Sequence, residues 1–284
     1  MGTSKAGSLG SRMSVRQFSD FLTIASANRL NLIDTADAYG SGDAERLIRT
    51  CMGSRAASFF VVTKAGLPYV HTPGWLSPLN QIAKKVKQKA GGKTNFSAAY
   101  LIRSLQKSNT RLGVDAADAF LLHEPDWDAL SGTDAWDGLS SIRKQGLARY
   151  TGVSTNDIRV IEDGIGRGQV QLVQTSVNWN DQRADAILTL CQRHAIPVIA
   201  NQVLQPYQSL IPAFNRQADT IRALDGLAGI SLVQLLIAAA LGGGNVHSVL
   251  FGTRNAVHLQ HNITSLHYTA GVARNLPAIQ QLLA

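Results

Sequence analysis

Four residues in this chain carry chemistry that can be combined: Asp34 and Tyr39 in the run DTADAYG, Lys64 in VVTKAG, and His123 in LLHEP. A free phenol titrates at about 10, too high to give and take a proton efficiently near neutrality. A lysine ammonium beside it favours the phenolate and lowers that value, and a carboxylate keeps the lysine charged and in place. A histidine next to them can donate a hydrogen bond to a carbonyl oxygen or share the proton. Such a group suits the reduction of a carbonyl by hydride. Each residue also has a structural explanation when taken singly. The lysine can snorkel, the histidine can be a satisfied core residue, and the aspartate can hold backbone amides. If residues 59–66 form a strand, Phe60, Val62 and Lys64 share one face. A lysine in line with two large apolar side chains then needs an acidic partner if it is buried.

The elements that must position these residues alternate along the chain. Short apolar runs read as strands at 30–36, 59–66, 116–125, 148–155, 170–179, 196–204 and 247–253. Between them lie helix-period segments such as SVRQFSDFLTIASANR, FSAAYLIRSLQKSNTRLG, RADAILTLCQRHA and SLVQLLIAAAL, and the tail GVARNLPAIQQLLA reads as a closing helix. Strands alternating with helices imply a parallel sheet, and near-continuous apolar strands imply one buried on both faces. A doubly wound open sheet and a closed (β/α)8 barrel both satisfy this. The open-sheet nucleotide folds carry a glycine-rich turn after the first strand, and none stands there. GIGRG at 164–168 follows a helix and precedes a strand, so it reads as a helix stop. The fold expected is therefore α/β, a TIM (β/α)8 barrel in a single domain over 1–284. In such a barrel the site lies at the C-terminal strand ends, where Asp34, Lys64, His123, Gln174 and Asn178 fall.

Composition agrees with one large core: 284 residues, 45% of them hydrophobic and 16% charged. The net charge of +8 asks for an anionic partner. Nucleic acid is not expected, because the densest basic cluster (Lys84, Lys85, Lys87, Lys89 and Lys93) has no interleaved aromatics to stack on bases. The two cysteines, Cys51 and Cys191, make no disulfide framework or metal cluster. The start MGTSKAGSLG has neither a signal-peptide core nor a myristoylation pattern, and no apolar run spans a bilayer. A cytoplasmic protein without metal or membrane partner is expected, as a monomer or weak homo-oligomer.

DTADAYG followed by SGDAERLI, then VVTKAG, LLHEPD, GLARYTGVST, VQTSVNWND and FGTRNAVHLQHNI, resemble the aldo-keto reductases in order and spacing. The resemblance covers roughly residues 1 to 265. It implies an NAD(P)H-dependent oxidoreductase that reduces an aldehyde or ketone to an alcohol without a metal. Asp34, Tyr39, Lys64 and His123 match its catalytic positions, with Tyr39 as general acid. Ser154 and Gln174 match positions that hold the nicotinamide carboxamide, and Thr155, next to Ser154, falls among the cofactor-binding positions. Gly252, Thr253, Arg254, His258 and Asn262 fall where the adenosine end binds. Arg254 and His258 facing a 2′-phosphate would favour NADPH over NADH, and a helix N-terminus after Thr253 would add its dipole.

The sequence also departs from the pattern. Gly2-Thr3 follow directly on Met1 where a first barrel strand is expected, so that strand is short or missing, and an open edge would be prone to pair with another chain. Asn201 in IANQVLQ stands where a tyrosine stacks on the nicotinamide. Thr155 replaces an asparagine, and His258 and His261 replace an arginine and a glutamate. These changes motivate an alternative, a non-catalytic NADPH-binding member acting as a sensor or regulatory subunit. A third reading, with Lys64 as a Schiff-base lysine of an aldolase, leaves Tyr39, Arg254 and Asn262 without roles. The substrate pocket falls to segment 67–97, the residues after His123 and roughly 205–229, with Trp75 and Trp127 as wall candidates.

Overall fold

Among the described residues seven strands form from the seven apolar runs, most of them buried on both faces. The computed structural model describes residues 1–4, 13–53, 58–67, 94–179 and 181–284, which divide into two compact units, Met1–Val173 and Gln174–Ala284.

The first unit begins with helix α1 (Val15–Ala27), whose start is fixed by a capping box: the Ser14 hydroxyl accepts from the Gln17 amide, and the Gln17 side chain accepts from the Ser14 amide. Strand β1 (Leu32–Asp34) follows, then α2 (Asp43–Met52), β2 (Phe60–Ala65), α3 (Ala98–Leu112) and β3 (Ala117–His123). A short helix α4 (Trp127–Leu130), then α5 (Ala135–Lys144), β4 (Ala148–Ser154) and α6 (Ile158–Gly166) complete it. Helix α6 ends at the GIGRG run and β5 (Leu172–Ser176) begins beyond it, as the helix-stop reading requires. The four strands β1 to β4 run parallel in chain order. Their register sets Asp34 opposite Val62, Lys64 opposite Leu121, and His123 opposite Ser154. The strand centres are dry: Val62, Phe120, Leu121, Leu122 and Val153 are fully buried. Outside β1, Met1–Thr3 continue the parallel ladder for a few residues. The Asp34 amide donates to the Met1 carbonyl at 2.8 Å, and the Thr3 amide donates to the Asp34 carbonyl at 3.0 Å. The strand expected to be short or missing is present as this short bridge.

The second unit holds the end of β5, α7 (Arg183–Arg193), β6 (Val198–Asn201), α8 (Tyr207–Arg222), α9 (Leu232–Gly242), β7 (Ser248–Val249), α10 (Ala256–Ile263) and α11 (Thr269–Leu282). Strands β6 and β7 are parallel, with Ala200 opposite Val249. Ser231 and Gln234 form a second capping box at the start of α9, and one apolar face of that helix packs with Phe214 and Ile221 of α8 and Val272 and Ile279 of α11. The tail is the closing helix that the sequence suggests. The segment 205–229, assigned to pocket loops from the sequence, is mostly the 16-residue helix α8. No helix among the described residues is long and apolar enough to cross a membrane.

Candidate active site

Lys64 is 1% exposed, and its ammonium makes an ion pair with a carboxylate oxygen of Asp34, itself 4% exposed. The acid partner that a buried lysine demands is therefore supplied by the next strand, and the snorkelling explanation falls away. Tyr39 lies on the turn after β1, with the Lys64 ammonium 5.5 Å from its ring centroid. His123, at the end of β3 and 4% exposed, meets the Tyr39 ring edge-on at 5.7 Å between centroids. All four predicted catalytic side chains thus come together in the first unit. Backbone geometry shapes their surroundings. Gly66, just past Lys64, has φ +128, and a Cβ there would stand 2.1 Å from the Phe96 ring. Gly42, at the start of α2, has φ +88 and lies against the Arg111 side chain. Glu124, next to His123, holds a positive φ of 52 that is rare for a residue with a side chain.

The electrostatics correct one expectation. Burial pushes the Tyr39 phenol above its ordinary value, and the negative charges of Asp34 and Glu124 push it further. The lysine was expected to lower it, but the Lys64 charge is largely spent on Asp34. A phenol in this setting holds its proton, which is the form needed by an acid.

Sequence reasoning missed a second group beneath this one. Asp37, two residues before Tyr39, is fully buried, and its carboxyl has no side-chain hydrogen-bond partner, only the adjacent Ala38 amide. Glu45 on α2 is also fully buried. Its oxygens accept from the Thr63 hydroxyl at 2.8 Å and from Arg111 Nε at 2.5 Å. The only signal in the sequence was the pair of acids flanking Tyr39, which also reads as a solvated turn.

The predicted cofactor residues divide between the units. In the first, Ser154 is buried beside His123 by register. The Thr155 hydroxyl donates to the Pro125 carbonyl at 2.6 Å and accepts from the Asp157 amide at 3.0 Å, so it ties the loops after β3 and β4 together. Asp157 in turn accepts from the Trp127 amide at 2.9 Å, and its carboxyl is held down at about 2 by the hydrogen bond from Arg159. Trp127 lines a cavity of about 210 Å³ with Trp136, Asp163 and Arg167, and none of the four catalytic residues borders it. In the second unit Gln174 is 2% exposed. Asn201 accepts from the Ser176 hydroxyl at 3.1 Å and offers no aromatic face. Asn255 caps α10 by accepting from the Val257 amide at 2.8 Å, and its own amide donates to Thr253 Oγ1 at 3.2 Å. Gly252, Arg254 and His258 are exposed around this helix start, while Asn262 is buried on its inner side. A cavity of about 610 Å³ in this unit is lined by Trp179, Leu188, Leu236 and Leu276 and by none of the predicted cofactor residues. Trp75 and the lysine cluster 84–93 lie outside the described residues. Among the described residues no three His, Cys, Asp or Glu side chains are grouped to hold a metal.

Comparison with known proteins bears on the family and the fold. The chain matches the aldo/keto reductase family over residues 1–282. It is 22% identical to an uncharacterised oxidoreductase of Bacillus subtilis, covering 88% of this chain and 82% of that one. It is 26% identical to the NADH-specific methylglyoxal reductase of Escherichia coli, over 66% of this chain and 56% of that one. Among solved structures, the holo form of an aldo-keto reductase from Bacillus halodurans superposes with a TM-score of 0.79 at 18% identity, covering 100% of this chain and 91% of that one. A likeness at that identity speaks for the fold, the (β/α)8 barrel. With the family match across nearly the whole length, it establishes that this chain belongs to the aldo/keto reductase family of NAD(P)H-dependent oxidoreductases.

Proposed function

We propose that the chain reduces an aldehyde or ketone to an alcohol by hydride transfer from NADPH, with Tyr39 as the general acid. The observation that carries this reading is the convergence of the Tyr39 phenol, a buried Lys64–Asp34 pair and His123 in one place. Each unit by itself offers residues that suit part of a dinucleotide: in the first, Ser154 lies beside His123, and in the second, the capped start of α10 with exposed Arg254 and His258 suits a phosphate. When bound, the reduced nicotinamide supplies the hydride. Tyr39 donates its proton to the carbonyl oxygen as negative charge develops there, and takes another from solvent afterwards. Lys64, held charged by Asp34, stabilises the phenolate left behind. His123 orients the carbonyl oxygen by hydrogen bonding. Arg254 and His258 favour the 2′-phosphate of NADPH, in contrast to the Escherichia coli relative that is NADH-specific by name.

Asn201 favours a second reading, a member that binds the dinucleotide and does not turn over, because it gives the nicotinamide no aromatic platform. Titration with NADPH followed by fluorescence, then loss of the reduced-nicotinamide absorbance against a panel of small aldehydes, separates the two. Binding with turnover supports the reductase, and binding without turnover across the panel supports the sensor.

A further inference from the structure

The turn that carries Tyr39 is pinned to β2 by two backbone contacts and closed on itself by a third. The Thr35 amide donates to the Val62 carbonyl at 2.8 Å, the Asp37 amide to the Lys64 carbonyl at 3.0 Å, and the Tyr39 amide closes back on Ala36 at 3.1 Å. Asp37 is therefore the last residue attached to β2 before the phenol. Its side chain is fully buried with no side-chain hydrogen-bond partner and only the adjacent Ala38 amide against it, an arrangement too costly for a carboxylate and tolerable for a neutral acid. The charges around it explain why. Glu45 faces it from α2, and Arg111 and Tyr100 face it from α3, while Lys64 on β2 is engaged by Asp34. Arg111 already neutralises Glu45 through the 2.5 Å bond, leaving no cation among the described neighbours for a second negative charge. The Tyr100 hydroxyl interacts with Ser104 and adds none.

We propose that Asp37 is a positioning residue that works as a neutral carboxylic acid: it locks the Tyr39 turn onto β2, and loss of its proton releases the turn. Two carboxyl groups sharing one cation cannot both ionise cheaply, so one keeps its proton. To reach water an ionised Asp37 must leave its pocket. That motion breaks the bond from its amide to Lys64 and carries Tyr39 away from Lys64 and His123. Burial first, then the Glu45 charge, place the Asp37 carboxyl at about 8, against downward pulls from Arg111 and from the Ala38 amide. The folded chain holds this proton up to about pH 8, while an unfolded chain releases it near 3.8. The associated stability is thus present below 3.8, declines as pH rises through that window and is gone above about 8.

The effect on catalysis rests on the reductase reading, but the release of the turn does not, so the test reads both. Hydrogen exchange of the 34–42 peptide is measured in the intact protein one pH unit either side of about 8, in the wild type, Asp37→Asn and Asp37→Leu. Neither substituent ionises, and the second guards against a poorly tolerated amide. The expected result is that wild-type protection at 34–42 falls about tenfold more than in the variants as pH rises. The alkaline limb of kcat shifts upward in the variants in parallel. Equal pH dependence of protection in all three chains overturns the proposal, whether or not turnover is seen. Absence of turnover with the exchange difference intact overturns the reductase reading alone.

Discussion

Lys64 and Asp34 show how a single buried charge dictates its neighbour. At 1% exposure the ammonium depends on the carboxylate 30 residues earlier in the chain, and that dependence gives a direct prediction. Asp34→Asn leaves the lysine buried and uncompensated, which costs about 3–5 kcal/mol of stability. Adding Lys64→Met to Asp34→Asn recovers most of that loss, because an apolar chain of similar length replaces the stranded charge. Urea unfolding of the two variants checks this, and an unrecovered double variant contradicts it. At this scale the sequence was informative where the physics was stringent. A lysine alternating with Phe60 and Val62 needs an acid, and the acid is there. It was uninformative for Asp37, because an acid between two alanines in a turn looks solvated until α2 and α3 are folded over it. The same packing raised the Tyr39 phenol instead of lowering it, since burial and two nearby carboxylates outweigh one compensated ammonium.

Among the elements, Arg111 links three. From α3 it binds Glu45 of α2, whose other oxygen holds Thr63 of β2, and its stem lies on Gly42 at the start of α2. Arg111→Leu removes the cation, leaves a fully buried carboxylate and costs about 3–5 kcal/mol. Glu45→Gln together with Arg111→Leu loses less than the two separate changes added, and equal losses would refute the coupling. The seven strands of the described residues were legible because most are dry, apolar runs, although their ends fall up to four residues inside the predicted limits. Helix α8 was not, since YQSLIPAFNRQADTIR carries Pro212 in its second turn and reads as broken, while the described helix accommodates that proline.

The whole molecule is a basic chain, at +8, whose family works with an anionic dinucleotide. Fold class and family were both visible in the order of its motifs. Cofactor preference was less so, because the side chains proposed to set it, Arg254 and His258, are exposed, and His258 stands where the family pattern has another residue. Arg254→Ala is predicted to weaken NADPH by about tenfold or more, as expected for a lost hydrogen bond to a charged group, and to leave NADH nearly unchanged. Fluorescence titration with each dinucleotide measures it, and equal losses for both remove the 2′-phosphate role. The most direct test of the account is Tyr39→Phe, assayed for reduction of an aldehyde and, in parallel, for NADPH binding. The account predicts that kcat falls by about a hundredfold or more while the Kd for NADPH stays within about threefold. A Phe variant that reduces the aldehyde at the wild-type rate contradicts it.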